Sequence, residues 1–166
     1  MCGRKKSMKN TIIGALLFAL MLIIVSGAFA DDDDKKMAVG LGLEWNMNSR
    51  ENFGGGIVLD FDYALPYSMA VGAVVGGSHN FSNSGVMEIS ALYRWYFLMS
   101  GHTGFFAQAD AGIHLIFEND ETIPNFMGGL RGGFRLPLGS LFYIEPYGRI
   151  GYPFAFGIGA VAGIRF

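Results

Sequence analysis

The sequence predicts an all-β protein, an eight-stranded antiparallel up-and-down β-barrel of the transmembrane kind. Three observations predict it. After residue 36, apolar residues recur at every second position over segments of about ten residues, the period of a strand with two unlike faces. Within those segments no Asp, Glu, Lys or Arg falls on the apolar face; the charges all sit on the other one. Aromatic residues gather at the segment ends, while the middles are aliphatic or small.

The chain has 166 residues, enough for one domain. Apolar residues make up 51%, charged residues 16%, and there are 25 glycines, an apolar and glycine-rich balance unlike that of an average soluble domain. The net charge of -2 argues against a nucleic-acid partner. Residues 1–30 read as a cleaved signal peptide. Arg4, Lys5, Lys6 and Lys9 form its basic start, Thr11 to Val25 its apolar stretch, and Ala28-Phe29-Ala30 its small-x-small cleavage site. Residues 31–36 form an acidic spacer or a tag remnant, Asp31 to Lys35 matching an enterokinase site. The barrel occupies 37–166. The one cysteine, Cys2, precedes the apolar stretch, so no disulfide is expected in the mature chain.

The eight segments follow in order. Val39–Met47 sets Val39, Leu41, Leu43, Trp45 and Met47 against Gly40, Gly42, Glu44 and Asn46. Phe53–Tyr63 sets Phe53, Ile57, Leu59, Phe61 and Tyr63 against Gly54, Gly56, Asp60 and Asp62. Met69–Gly77 sets Met69, Val71, Ala73 and Val75 against Ala70, Gly72, Val74 and Gly76. Met87–Phe97 sets Met87, Ile89, Ala91, Tyr93, Trp95 and Phe97 against Glu88, Ser90, Leu92, Arg94 and Tyr96. Phe105–Phe117 alternates apolar residues with Gln108, Asp110, Gly112 and His114, and Glu118–Asn125 reads as an acidic loop. Phe126–Leu136 sets Phe126, Leu130, Phe134 and Leu136 against Arg131, Gly133 and Arg135. Phe142–Tyr152 sets Phe142, Ile144, Ile150 and Tyr152 against Tyr143, Glu145, Tyr147 and Arg149, with Pro146, which has no N–H to give a ladder, on the apolar face. Tyr152–Ala155 turns into Phe156–Phe166, where Phe156, Ile158, Ala160, Ala162, Ile164 and Phe166 alternate with Gly157, Gly159, Val161, Gly163 and Arg165.

Alternation alone also suits a soluble barrel with its apolar face inside. The zoning decides for the inverse. Aromatic girdles around an aliphatic band match a bilayer and its two interfaces. Segments of this length cross the hydrocarbon when tilted. Glycine on a water-exposed strand face is only costly, whereas in a narrow interior it makes room for arginine and tyrosine. A spanning sheet must also close, because an open edge in lipid leaves amides unpaired.

The leader, the eight alternating segments, the short joins and the terminal Phe166 resemble the small bacterial outer-membrane barrels, the OmpA/OmpX/OmpW-like group. The resemblance covers residues 37–166. It implies a Gram-negative-type cell outer membrane as the location, with surrounding outer-membrane lipid and lipopolysaccharide as partners, and a monomer. It implies that the barrel-assembly machinery reads the last strand, on which Phe166, Ile164 and Ala162 match the signal. It also implies periplasmic termini, with 48–52, 80–85, 118–125 and 152–155 as outward loops.

The inward charges are Glu44, Asp60, Asp62, Glu88, Asp110 and Glu145 against Arg94, Arg131, Arg135, Arg149 and Arg165, with His114 between. Near-balanced charge in a narrow interior is what an interlocked Arg/acid network needs, since an unpaired buried charge is very costly. That network plugs the lumen or lines a narrow porin-like pore for small solutes. Strand direction sets Asp60, Asp62, Arg94, Arg135 and Arg165 towards the end with the termini, and Glu44, Glu88, His114 and Arg149 towards the other. No catalytic residue, cofactor or metal is expected. Gly54-Gly55-Gly56 opens no helix, and His79, His102 and His114 lie on separate segments. The alternative function is a surface-exposed host-interaction or immune-evasion barrel, which the short joins disfavour. A soluble barrel holding an apolar ligand is the third.

Overall fold

The computed structural model describes residues 35–48, 53–80, 85–97, 102–118 and 121–166. Residues 1–34, to which the expected signal peptide and most of the expected acidic spacer belong, lie outside the described residues. Eight strands follow in chain order: β1 (Met37–Asn48), β2 (Phe53–Leu65), β3 (Met69–Asn80), β4 (Gly85–Phe97), β5 (Gly104–Glu118), β6 (Glu121–Leu138), β7 (Phe142–Tyr152) and β8 (Phe154–Arg165). Each pairs antiparallel with its sequence neighbours, and β8 returns to β1, so the sheet is a closed up-and-down barrel.

The register sets the barrel's size. From Phe142 on β7 the pairs run through Ile164, Val39, Phe61, Ala73, Ala91, Ala111 and Gly128, and return to β7 at Tyr152, ten residues further on. A stagger of ten residues at ~3.3 Å, set against eight strand spacings of ~4.8 Å, tilts the strands by about 40°. Twelve residues at that tilt rise ~30 Å, the depth of a bilayer's hydrocarbon.

The polarity is inverted relative to a soluble domain. Leu43 is 71% exposed, Trp45 63% and Phe126 70%, while Asp60, Arg94 and Glu145 are 0% exposed. The outward aromatics form two belts. Tyr63, Trp95, Phe97, Phe105 and Phe142 lie at the end with the termini, and Trp45, Phe53, Phe117, Phe126 and Phe156 at the opposite end. Between them lie Leu59, Val71, Ala73, Ala91, Ala109, Ala160 and Ala162. An apolar interior for a greasy ligand is excluded by the buried charges.

The inward glycines seat rings. A Cβ on Gly163 would overlap the ring of Tyr143, its register neighbour, and one on Gly159 would fall 2.6 Å from Cζ of Tyr147. Phe106 lies in the same way over Gly133.

Three details differ from the sequence expectation, and one, at Pro146, agrees with it. The predicted acidic loop at Glu118–Asn125 is mostly strand: Ile116 pairs with Ile123, His114 with Asn125 and Glu118 with Glu121. Two chains rising together satisfy each other's backbone groups, so the hairpin continues past the rim. Pro124 is tolerated because β7 stops at Tyr152 and leaves that side of β6 without a ladder. Pro146 does interrupt pairing: β6 and β7 pair at Gly133–Tyr147 and at Leu136–Ile144, with the two pairs between missing. Phe154 belongs to β8 and not to a turn. The register shifts between Met47 and Asn48, skipping Ala155, and this bulge turns Phe154 inward, where it is 5% exposed. Phe166, expected on the outward face, is buried at 9%, its backbone held by two 2.9 Å hydrogen bonds with Met37 across the β1–β8 seam.

Candidate functional site

The site is the lumen. Period-two alternation turns one residue in two inward on every strand, so eight strands deliver their polar residues to one narrow space. Charges there are far from water and must meet partners. The structure gathers them into two layers.

The layer nearer the termini is built around Arg94 and Arg135. Arg94 donates to Glu145 at 2.9 Å, to Asp60 at 3.2 Å, to Asp62 at 3.4 Å, to the Tyr96 hydroxyl at 3.0 Å and to Gln108 at 2.6 Å. Arg135 donates to Asp62 at 2.6 Å and to Glu145 at 2.7 Å. The guanidinium of Arg94 lies 4.3 Å from the Phe106 ring, and that of Arg135 4.2 Å from the Tyr143 ring. A planar cation with five donors suits this use, binding carboxylates through its edge and aromatic rings through its face. β2, β4, β6 and β7 each contribute, so the layer crosses the whole lumen.

A histidine adds to the packing at this end. His102, just before β5, is tied to the β2–β3 turn at Leu65–Met69. His102 Nε2 lies 2.9 Å from the Leu65 carbonyl and 3.0 Å from that of Met69. Both are acceptors, so this nitrogen carries the proton. The imidazole stands edge-on to Tyr96, centroids 5.7 Å apart.

The opposite layer is built around Arg149. It meets Glu44 at 2.9 Å and Glu88 at 3.0 Å, and lies 4.7 Å from the Phe154 ring. Glu44 also accepts from the Tyr147 hydroxyl at 2.8 Å and from Asn46 at 3.2 Å. His114 is buried, edge-on to Tyr152 at 5.4 Å. Arg131 bridges the layers, 3.8 Å from both Asp60 and Asp110 and 4.3 Å from the Tyr147 ring. Beside it Val58, Val74 and Leu92 form a small apolar cluster inside the wall.

Glu44, Asp60, Asp62, Glu88, Arg94, Asp110, Arg131, Arg135, Glu145 and Arg149 are thus all buried in the lumen. Arg165 lies at the end with the termini, opposite Ala38, and is half-buried. His79 is on the outer face, and His102, just before β5, lies at the termini end while His114 lies towards the other end of that strand. No group of three His, Cys, Asp or Glu among the described residues is arranged for a metal ion. Phe106, Phe154 and Gln108 complete the packing. Gln108 was legible from its face, and Phe106 from its parity. Phe154 was not, since the bulge that turns it inward leaves no trace in the alternation.

No family model matches the sequence, and no curated protein sequence matches it either. Solved structures do. Neisserial surface protein A superposes with a TM-score of 0.58 at 10% identity, over 78% of this chain and 94% of that one. A de novo designed transmembrane β-barrel superposes at 0.51 with 10% identity, over 80% and 96%. The N-terminal β-barrel domain of Pseudomonas aeruginosa OprF gives 0.49 at 16% identity, over 80% and 100%. By fold, then, the chain is a small barrel of the bacterial outer-membrane type.

Proposed function

We propose that this barrel is an integral protein of a bacterial cell outer membrane whose lumen is held shut by its own charges. Its role is structural, and it is not an open pore. The observation that carries the reading is the Arg94–Arg135 layer. Two guanidinium groups, three carboxylates and three aromatic rings from facing walls meet with full burial, and they occupy the cross-section a solute would need. The apolar belt and its aromatic borders favour lipid as the surrounding medium. Reconstitution in planar bilayers tests the closed lumen: a flat baseline is expected, and discrete channel events of uniform size overturn it.

The assembly role of the last strand belongs to the same reading. Phe166, Ile164 and Ala162 end the chain on the seam strand, where Phe166 is tied to Met37. The alternative, a surface-recognition barrel, draws support only from the β5–β6 hairpin, with Ile123 and Phe126 exposed beyond the last β7 pair. The other joins at that end are brief, residues 49–52 and 81–84 and the single Pro153, and leave little surface for a partner.

A further inference from the structure

Of the barrel's ladders, β6–β7 is the one interrupted in its interior. The β1–β8 shift at Met47/Asn48 lies at a strand end, and the others run on without a break. The β6–β7 pairs stop at Gly133–Tyr147 and resume at Leu136–Ile144, so Phe134 and Arg135 lie opposite Pro146 and Glu145 without pairing. Both strands stay paired on their other sides: Phe134 with Phe105 and Arg135 with Gly104 on β5, Glu145 with Val161 and Pro146 with Ala160 on β8. The defect therefore belongs to one seam of the wall. Its cause is the proline. The Pro146 carbonyl faces β6, 2.5 Å from where a Cβ on Gly133 would stand. In a strand the N–H of a residue points the same way as its carbonyl, so Pro146 removes a donor from this seam. Backbone groups left unpaired in a spanning wall are costly, and another tie has to hold the strands together.

We propose that the β6–β7 seam at Pro146 is the point where the folded barrel opens first, and that the Arg135–Glu145 pair is the latch that holds it shut. The latch lies in the break itself. With the register carried across from the flanking pairs, Arg135 on β6 faces Glu145 on β7. Its Nε donates to the Glu145 carboxylate at 2.7 Å, and both side chains are 1% exposed. A charge-assisted bond between directly opposed residues ties two strands as a ladder bond would. The same guanidinium lies 4.2 Å from the ring of Tyr143, two residues before Glu145. On the other side of the break Arg131 of β6 lies 4.3 Å from the Tyr147 ring of β7. Side chains of β6 thus grip β7 within the gap and on both sides of it. Glu145 also accepts from Arg94, so the latch shares a carboxylate with the Arg94–Arg135 layer. The latch is a property of the wall, and so lies beyond the closed-lumen reading.

Residue-resolved amide hydrogen exchange of the barrel in lipid nanodiscs tests it. Among amides in ladder interiors, those of β6 and β7 beside the break should exchange fastest. Glu145→Gln should speed them by about tenfold, the size of one hydrogen bond to a charged group, and leave the β2–β3 ladder unchanged. Asp62→Asn is the control, because Asp62 binds the same two arginines from β2, away from the seam. It should not speed exchange at the break. Pro146→Val supplies the missing N–H at an outward, exposed position. By itself it should slow exchange at the break, and added to Glu145→Gln it should cancel the acceleration. Heat-shifted gel mobility identifies folded barrel in each sample. Fastest exchange within another ladder overturns the opening point. Equal acceleration by Asp62→Asn overturns the latch, as does a rise throughout the barrel in Glu145→Gln. Unchanged exchange in Pro146→Val, which leaves every lumen side chain in place, overturns both.

Discussion

Arg94 and Arg149 do the same work at opposite ends of one lumen, and the difference between them is instructive. Each is the central cation of a layer of carboxylates. Arg94 has five hydrogen-bond partners and no exposure, whereas Arg149 is 9% exposed and roofed by a phenylalanine. Around Arg94 the acids are shared with a second fully buried arginine. Around Arg149 they outnumber it, and a water-sized space remains. Both arginines join β4 to β7 across the lumen, so the difference lies in the company each keeps: a seal where two arginines share three carboxylates, and a mouth where one arginine lies beside a bulge.

The largest effect expected from breaking this comparison is at the seal. Arg94→Leu leaves Asp62 and Glu145 with Arg135 alone and Asp60 with only the 3.8 Å approach of Arg131, and uncompensated buried carboxylates cost about 3–5 kcal/mol. Urea titration of refolded barrel, followed by heat-shifted gel mobility, should show that loss. Arg149→Leu removes one cation from Glu44 and Glu88, which are each 5% exposed where Asp60 and Glu145 are 0%, and should cost about 1–3 kcal/mol in the same titration. A loss at Arg149 equal to that at Arg94 would refute the distinction between seal and mouth. A stability effect no larger than that at Arg149 is expected from deleting Phe166. The deletion removes its two backbone bonds to Met37 at the seam, worth ~1–3 kcal/mol together, but it should lower the amount of barrel inserted in cells far more than this loss explains. Outer-membrane levels matching those of the intact chain would count against the assembly signal.

Much of this was legible in the residues. The polar faces of the segments listed Asp60, Asp62, Arg94 and Arg135 for one end and Glu44, Glu88 and Arg149 for the other, because strand direction alternates and each face repeats every two residues. The β7 proline announced its own gap in the ladder. The errors have separate causes. Glu118–Asn125 looked like a loop because its residues are acidic and include Pro124, yet a hairpin beyond the rim needs only a partner strand, and β5 supplies one. Phe154 was misplaced because a bulge breaks the alternation beside it, and Phe166, though paired with Met37 at the seam, is buried at the strand's end where the face alone gives no sign of it.

The sequence by itself determined the number of strands, the two faces of each and the direction in which the charges point, since a period of two is written locally in each segment. It could not say how far one strand slides against the next. That offset accumulates around the closed sheet to ten residues, and it is set by turns, bulges and closure together. Only the tertiary structure therefore decided that Arg94 reaches Glu145, fifty-one residues away, that Tyr143 lies over Gly163, and that one mouth is roofed by Phe154.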